Sequence, residues 1–141
     1  MKIQNSKIII YTDGGSRGNP GNAAIGVYFD SPINKSYGEA IGKTTNNVAE
    51  YSAVVFALKK AKALLGGEKA EKAEITIRSD SELLVKQLNG EYKIKEENLV
   101  PLFIKIWNLK QDFKKVNFVH IPREKNKEAD KLVNQALDIL I

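Results

Sequence analysis

Four acidic residues stand where predicted strands end and predicted helices begin. Asp13 and Asp80 each close a run of β-forming residues, whereas Glu50 and Asp130 lie in the first turns of two amphipathic helices. In an open α/β sheet, the carboxyl ends of neighbouring strands and the starts of the following helices form one crevice. We therefore expect these four carboxylates to converge, although they are far apart along the chain.

Clustered carboxylates are suited to holding hard divalent cations. They raise each other's pKa values unless a cation neutralises them. Magnesium prefers oxygen ligands and keeps several waters, which suits a site of carboxylates and substrate phosphate oxygens. Two such ions about 3.5 to 4 Å apart can activate a water and stabilise the leaving oxygen of a phosphodiester. The acids predict hydrolysis without a protein nucleophile, with two Mg²⁺ ions as cofactors and Mn²⁺ as a substitute.

Each acid also has a purely structural interpretation. Asp13 precedes two glycines and could be a turn residue, and Asp80 could cap a helix. Glu50 and Asp130 could simply favour helix N-termini. Taken singly, each acid fits the structural interpretation, and only their joint occurrence with flanking motifs favours a metal site.

Composition limits the classes of protein that fit. The chain has 141 residues, 43% of them hydrophobic and 28% charged, which predicts one globular domain spanning residues 1–141. There is no cysteine, so disulfides, thiolate nucleophiles and sulfur-ligated metal clusters are excluded. The opening MKIQNSKIII lacks a signal-peptide layout and no window reaches the ~20 apolar residues of a membrane span, so a cytoplasmic protein is expected. A net charge of +5 favours a polyanionic partner.

Hydrophobic periodicity predicts an α/β fold with a five-stranded mixed sheet. The first three strands form an antiparallel meander, later strands run parallel, and helices flank the sheet. The first strand is expected to end in a tight turn at Asp-Gly-Gly, and no domain boundary is evident. Strands are predicted at residues 7–12, 22–29, 36–43, 73–79 and 116–121, and helices at residues 48–65, 81–88, 98–113 and 126–140.

Four motifs, in order along nearly the whole chain, resemble those of ribonuclease H type 1. They are YTDGGSRGNPG at residues 11–21, TTNNVAE at 44–50, SDS at 79–81 and NKEAD at 126–130. The resemblance implies a ribonuclease H-like fold and an endoribonuclease that hydrolyses the RNA strand of RNA/DNA hybrids, leaving 5′-phosphate and 3′-hydroxyl ends. It also implies metal-binding and catalytic roles for the four acids, with Asp13 shared between two ions.

The resemblance further implies a set of hybrid-binding residues: Asn19, Thr45, Asn46 and Asn47. Amide and hydroxyl groups near a helix start can hold phosphates and the RNA 2′-hydroxyl without demanding a base sequence. Asn46 or Asn47 could instead cap the helix, and one of them is expected to do so as well.

The sequence departs from the better-known bacterial pattern between the fourth strand and the second long helix. Those proteins carry an extra basic, tryptophan-bearing helix and loop that grips the hybrid. Only NGEYKIKEEN at residues 89–98 occupies that interval here. Lys93 and Lys95 are either a partial substitute or simply solvated.

A second departure concerns the family's auxiliary histidine. His120 stands ten positions before Asp130, which is the family spacing, but it is predicted to lie inside the last strand. Some family branches place an arginine in the following loop, which makes Arg123 the preferred auxiliary catalytic residue. Because an arginine cannot act as a general base near neutral pH, it would steady phosphate charge or disturb a metal during product exit.

Two other functions remain open from the sequence. The first is a binding module, catalytically weak or inactive, that holds a hybrid, double-stranded RNA or a protein. Four retained acids speak against it, because a binder of polyanions gains little from clustered negative charge. The second is a different magnesium nuclease or an integrase-like enzyme on the same fold. A monomer is expected, and cleavage of double-stranded RNA is left open.

Overall fold

The structure, a computed structural model, describes residues 7–140. The predicted domain 1–141 and the opening MKIQNSKIII extend into residues 1–6 and 141, which lie outside the described residues. Two 3₁₀ turns, Glu97–Leu99 and Arg123–Lys125, accompany the helices and strands. The strands are β1 (Lys7–Gly18), β2 (Gly21–Phe29), β3 (Lys35–Thr44), β4 (Glu74–Ser79) and β5 (Lys115–His120), and the helices are α1 (Asn46–Leu65), α2 (Gly67–Lys72), α3 (Glu82–Leu88), α4 (Val100–Lys110) and α5 (Lys127–Asp138).

The five strands form one mixed sheet in the order β3-β2-β1-β4-β5. β1, β2 and β3 pair antiparallel, whereas β4 pairs parallel with both β1 and β5. The predicted fold class, an antiparallel meander followed by parallel strands, is confirmed. Parallel pairing places the carboxyl ends of β1 and β4 at the same end of the sheet, where the acids were expected.

Helices cover both faces of the sheet. On one face, Ile10 and Ile77 belong to the main core together with Tyr51 and Leu58 of α1. Alternate strand residues point to the other face, where Ala24 packs with buried residues of α5 in a smaller cluster. Within residues 7–140, every helix is too short or too polar to cross a bilayer.

The prediction that β1 ends at Asp-Gly-Gly is wrong. β1 continues to Gly18, and Asp13 lies inside it, opposite Gly26 of β2. Asp-Gly-Gly is typical of turns, but here Gly14 serves a different purpose. A Cβ on Gly14 would lie 2.2 Å from the carbonyl carbon of Ala49 in α1, so the missing side chain lets the helix backbone contact the strand. The chain reverses only after Gly18, whose φ of 96° favours glycine.

Several helix boundaries also differ from the prediction. Thr45, not Asn46 or Asn47, is the N-cap of α1, and its hydroxyl accepts a hydrogen bond from the Val48 amide. The predicted helix 98–113 begins as a 3₁₀ turn and ends at Lys110. The short helix α2 was not predicted, because two consecutive glycines after residue 65 are typical of the end of a helix and not of the start of another.

Candidate active site

Three of the four predicted acids meet at the end of the sheet. Asp13 comes from β1, Glu50 from the second turn of α1, and Asp80 directly follows β4. One carboxylate oxygen from each lies within 4.8 Å of the other two. Each of the three residues is partly buried. Three different elements therefore bring these oxygens together, at separations that one shared cation could bridge.

Asp130 joins this group at its rim. It lies in the first turn of α5 and is exposed. It lines the same cavity as the other three acids, a space of about 210 Å³. Its negative charge helps to raise the pKa of Asp13. The four acids therefore do converge: oxygens of three lie within 4.8 Å of one another, and Asp130 lines the same cavity.

The site is electrostatically strained without a cation. Burial raises the pKa of Asp13 to about 8, and the negative charges of Asp80, Asp130 and Glu50 add to this effect. Burial also raises the pKa of Glu50 to about 7. Such shifts arise when carboxylates are desolvated beside like charges. An all-oxygen donor set of this kind fits a hard divalent ion, which would relieve the repulsion.

Two glycines beside Asp13 place the acid-bearing helices. A Cβ on Gly14 would lie 2.4 Å from the amide nitrogen of Glu50. A Cβ on Gly26, the cross-strand partner of Asp13, would lie 2.1 Å from the carbonyl oxygen of Ala129. Main-chain contacts at glycine thus set the distance of α1 and of α5 from the sheet. The first contact is made at Glu50, and the second at Ala129, the residue before Asp130.

Asn126 fastens α5 to the strand that carries Asp13. Its side chain is buried, with 1% of its surface exposed. Its Nδ2 donates a hydrogen bond to the carbonyl oxygen of Thr12 at 3.0 Å. The amide of Asp130 in turn donates to the carbonyl oxygen of Asn126. This chain of contacts joins the start of α5 to the residue immediately before Asp13.

The residues predicted to hold the hybrid divide into two groups. Asn19 and Asn46 lie together, since the amide of Asn46 donates to Oδ1 of Asn19 at 3.0 Å. Asn46 also lines the acidic cavity, and its Oδ1 accepts a hydrogen bond from the amide of Ser16. Thr45 acts as the helix cap described above. Asn47 instead donates from Nδ2 to Glu96 Oε1 at 2.5 Å, and it is not among the described residues that line the cavity.

The structure separates the two candidates for the auxiliary role. Arg123 lines the acidic cavity, and its positive charge lowers the pKa of Glu50. His120 lies in the last strand, as predicted; it is the final residue of β5 and pairs in register with Ser79. It is exposed and does not line the cavity. Of the two candidates, only Arg123 therefore lies among the described residues that line the acidic cavity.

The segment at residues 89–98 forms a groove in place of the basic protrusion. The groove measures about 460 Å³ and is lined by Lys93 and Lys95 among others. Gln87 joins the groove to the core, because its Nε2 donates to the carbonyl oxygen of Lys93 and its Oε1 accepts from the Tyr51 hydroxyl. Both lysines are exposed and make no ion pair within residues 7–140. Glu91 and Glu96 line the same groove, so whether the lysines bind a polyanion or are simply solvated stays open.

Three further polar side chains reach the site without having been predicted. The Ser81 side chain forms a hydrogen bond with Glu50 that lowers the pKa of this acid. Arg17 and Asn134 line the cavity. Arg17 was visible inside the YTDGGSRGNPG motif, and Asn134 stands one helical turn after Asp130. Their relation to each other depends on a contact between β1 and α5 that no local pattern signals.

We expect the stability of the metal-free protein to fall as pH rises from about 5 to about 8. Over this interval the folded protein binds more protons at Asp13 and Glu50 than the unfolded chain does, because both folded pKa values are raised. The free energy of unfolding then decreases with increasing pH. Melting temperatures measured in EDTA should drop by roughly 5 °C or more across this range.

Millimolar Mg²⁺ should restore most of the lost stability at pH 8. At pH 5 it should change the melting temperature little. An ion that binds only the folded state stabilises it, and it binds best when the carboxyls are ionised. The Glu39→Gln variant removes an exposed carboxylate of β3 and should keep the wild-type profile. A melting temperature in EDTA that is flat from pH 5 to pH 8 would contradict the raised pKa values.

Sequence and structure comparisons agree with the motifs. Residues 11–136 match a family model described as reverse transcriptase-like. A ribonuclease H of Clostridium botulinum is 34% identical over 154 aligned positions, covering 94% of this chain and 96% of that protein. A bifunctional protein of Mycobacterium tuberculosis is 38% identical over 136 positions and 94% of this chain. The chain spans only 36% of the length of that protein.

Solved structures extend the likeness to three dimensions. The crystal structure of LC11-RNase H1 in complex with an RNA/DNA hybrid matches with a TM-score of 0.87 and 48% sequence identity. The match covers 94% of this chain and 98% of that chain. The Clostridium botulinum relative and the solved structure are both named as ribonucleases H, and the solved structure shares the fold. The chain belongs to the ribonuclease H type 1 family of nucleases.

Proposed function

We propose that this chain is an endoribonuclease that hydrolyses the RNA strand of RNA/DNA hybrids, using two Mg²⁺ ions held by its four acids. The observation that carries the proposal is the approach of Asp13, Glu50 and Asp80 to within 4.8 Å of one another. The likeness to a protein whose structure contains an RNA/DNA hybrid supports the choice of substrate. The products would carry 5′-phosphate and 3′-hydroxyl ends, and Mn²⁺ would substitute for Mg²⁺.

Asp13 is the acid best placed to be shared between two ions. Burial raises its pKa to about 8, and the negative charges of Asp80, Asp130 and Glu50 add to this effect, so cations beside Asp13 would relieve repulsion from all three. When bound, divalent ions would neutralise charge that develops on the phosphate during an in-line displacement. Protein side chains need then only hold the acids and the substrate in place. The buried Asn126 and the two glycine contacts do this for the acids.

Polar groups beside the cavity would hold the hybrid. Asn46 lines the acidic cavity, and Asn19 is joined to it by a hydrogen bond. Such groups can bind a phosphate or the 2′-hydroxyl that distinguishes RNA from DNA. Thr45 would act through the start of α1, and Asn47 would contact substrate only after leaving Glu96. Arg123, which lines the same cavity and whose charge lowers the pKa of Glu50, would steady phosphate charge.

The experiment is incubation of the purified protein with four end-labelled duplexes or strands of one sequence. These are an RNA/DNA hybrid, single-stranded RNA, double-stranded RNA and double-stranded DNA, each with EDTA, Mg²⁺ or Mn²⁺. We expect cleavage of the hybrid's RNA strand with Mg²⁺ or Mn²⁺ and none with EDTA. Ligation of the products, which requires 5′-phosphate and 3′-hydroxyl ends, tests the end chemistry.

The same panel separates the competing functions. Tight binding of the hybrid without cutting under any ion would favour a binding module instead. Cutting of the DNA strand would favour another class of magnesium nuclease. Cleavage of double-stranded RNA beside the hybrid would broaden the substrate without changing the mechanism.

A further inference from the structure

We propose that Arg17 binds a backbone phosphate of the substrate and that Asp138 is the internal competitor that holds its guanidinium until substrate arrives. The proposal rests on the nucleic-acid substrate proposed above and extends the site beyond the acids and the asparagines. It also gives a function to the only described ion pair that involves a residue of the acidic cavity.

Arg17 lies at the cavity where the proposed substrate would bind. It lies near the end of β1, opposite Asn22 of β2, and lines the cavity that contains the four acids. Among the described residues lining this cavity, only Arg17 and Arg123 are positively charged. A polyanion approaching four carboxylates is repelled, so cations at the rim are needed to hold it.

The present partner of Arg17 is a weak one. Nη2 of Arg17 donates to Oδ1 of Asp138, in the last turn of α5, at 2.6 Å. The side chains are 43% and 63% exposed, and ion pairs between such exposed groups contribute little to stability. The guanidinium can leave Asp138 at small cost.

Most of the binding capacity of Arg17 is unused. A guanidinium has five N–H donors in a planar fork. Besides Asp138, the described contacts include only a long one of 3.5 Å to Oδ1 of Asn134. Carboxylate and phosphate oxygens present the same geometry to this fork. Asp138 therefore marks a position in which an anion is already bound by Arg17.

The surroundings of Arg17 connect it to the acids. Asn134 contacts Arg17 on one side and donates from Nδ2 to the carbonyl oxygen of Asp130 on the other. Ser16, the residue before Arg17, donates from both its amide and its hydroxyl to Oδ1 of Asn46. A phosphate held by Arg17 would thus lie between Asn46 and Asp130, within the site and displaced from the acid cluster.

The test compares Arg17→Met and Asp138→Asn in binding and in cleavage. Affinity for a hybrid is measured by fluorescence anisotropy in an Asp13→Asn background, which keeps the RNA strand intact. We expect Arg17→Met to weaken binding about tenfold, the scale of one charge-assisted contact. The slope of log affinity against log salt should become shallower by about 1. Asp138→Asn should tighten binding, because it removes the competitor.

Opposite signs distinguish this role from a structural one. If the ion pair only tethers the β1–β2 hairpin to α5, both variants weaken binding and lower the melting temperature together, which would overturn the proposal. Arg17→Lys should recover part of the affinity, since it keeps the charge without the fork. Glu128→Gln, which removes an exposed charge in the first turn of α5 rather than the last, gives the effect of charge alone. The gain in affinity from Asp138→Asn must be larger than the gain from Glu128→Gln. It must disappear when Asp138→Asn is combined with Arg17→Met.

Two further arms assign the phosphate and isolate the proposed function. Methylphosphonate linkages, which are uncharged, are placed in the RNA strand or in the DNA strand. If Arg17→Met no longer weakens binding when one strand is modified, that strand contains the contacted phosphate. If neither strand changes the effect of Arg17→Met, the phosphate contact is refuted. In cleavage by otherwise wild-type protein, Arg17→Met should raise KM more than it lowers kcat. Failure of the wild-type chain to cut hybrids would refute the nuclease proposal alone, because the anisotropy results still test Arg17.

Discussion

The Asp13→Asn variant should cut hybrids at least roughly 10³-fold more slowly than the wild-type chain, the scale expected when a central charged group of an active site is lost. The same substitution should raise the melting temperature of the metal-free protein at pH 8 by roughly 5 °C or more. Both effects have one cause. Asp13 has a pKa of about 8 because it is buried among other acids, so ionising it destabilises the fold while preparing the site for cations.

Differential scanning fluorimetry in EDTA, at pH 5 and pH 8, measures the effect of Asp13→Asn on the melting temperature. The gain in stability should be small at pH 5, where Asp13 is already protonated in the folded protein, and large at pH 8. Added Mg²⁺ should stabilise the wild type and leave Asp13→Asn nearly unchanged. Glu39→Gln, which removes an exposed acid, should alter neither activity nor melting temperature. An Asp13→Asn protein less stable than wild type at pH 8 would contradict this account.

The Gly14→Ala substitution should destabilise the protein by about 3 kcal/mol or more, at the upper end of overpacking costs. The added methyl would lie 2.2 Å from the carbonyl carbon of Ala49 and 2.4 Å from the amide nitrogen of Glu50. Both atoms belong to the backbone of α1, which cannot yield as a flexible side chain can. α1 must move away from β1, taking Glu50 with it, so cleavage should fall together with stability.

Gly15→Ala is a matched control, because it adds the same methyl to the next residue of β1. Its Cβ would meet Cγ1 of Val133 at 3.5 Å, an ordinary contact. Urea unfolding of the two variants should show a loss for Gly14→Ala that is several times the change for Gly15→Ala. Equal losses would mean that strand propensity, and not the contact with α1, determines the requirement for glycine at residue 14.

The parts of the fold that were predictable are those with a local periodic signal. The alternation Glu74–Ser79 and the three-and-four spacing in α1 predict a strand and a long helix, and both are present. The mixed sheet followed from the order of these elements. Convergence of Asp13 and Asp80 could be predicted although Asp13 lies inside β1, because both acids follow the last pair of the parallel β1–β4 ladder, Tyr11 and Arg78.

What escaped prediction depends on contacts between distant segments. The sequence Asp-Gly-Gly is compatible with a turn and equally with a strand that a helix contacts closely. Only the position of α1 shows that the second alternative is present. The TTNN motif contains several good capping residues, and the place where α1 leaves β3 selects Thr45. Asn47 is drawn towards Glu96, 49 residues later in the chain. The pairing of Arg17 with Asp138 spans 121 residues.

The glycine contacts have a consequence for how this chain tolerates change. Because α1 and α5 rest on the sheet through main-chain atoms beside Asp13, the spacing of the acids does not depend on the identity of nearby interior side chains. Exchanges of similar volume at Leu58 or Ile77, both in the main core, would lower the melting temperature and leave the cation-binding geometry intact. The interior can therefore change in sequence while the arrangement of the acids is kept. The physical reason is that Gly14 and Gly26 each carry a hydrogen atom where another residue would carry a side chain.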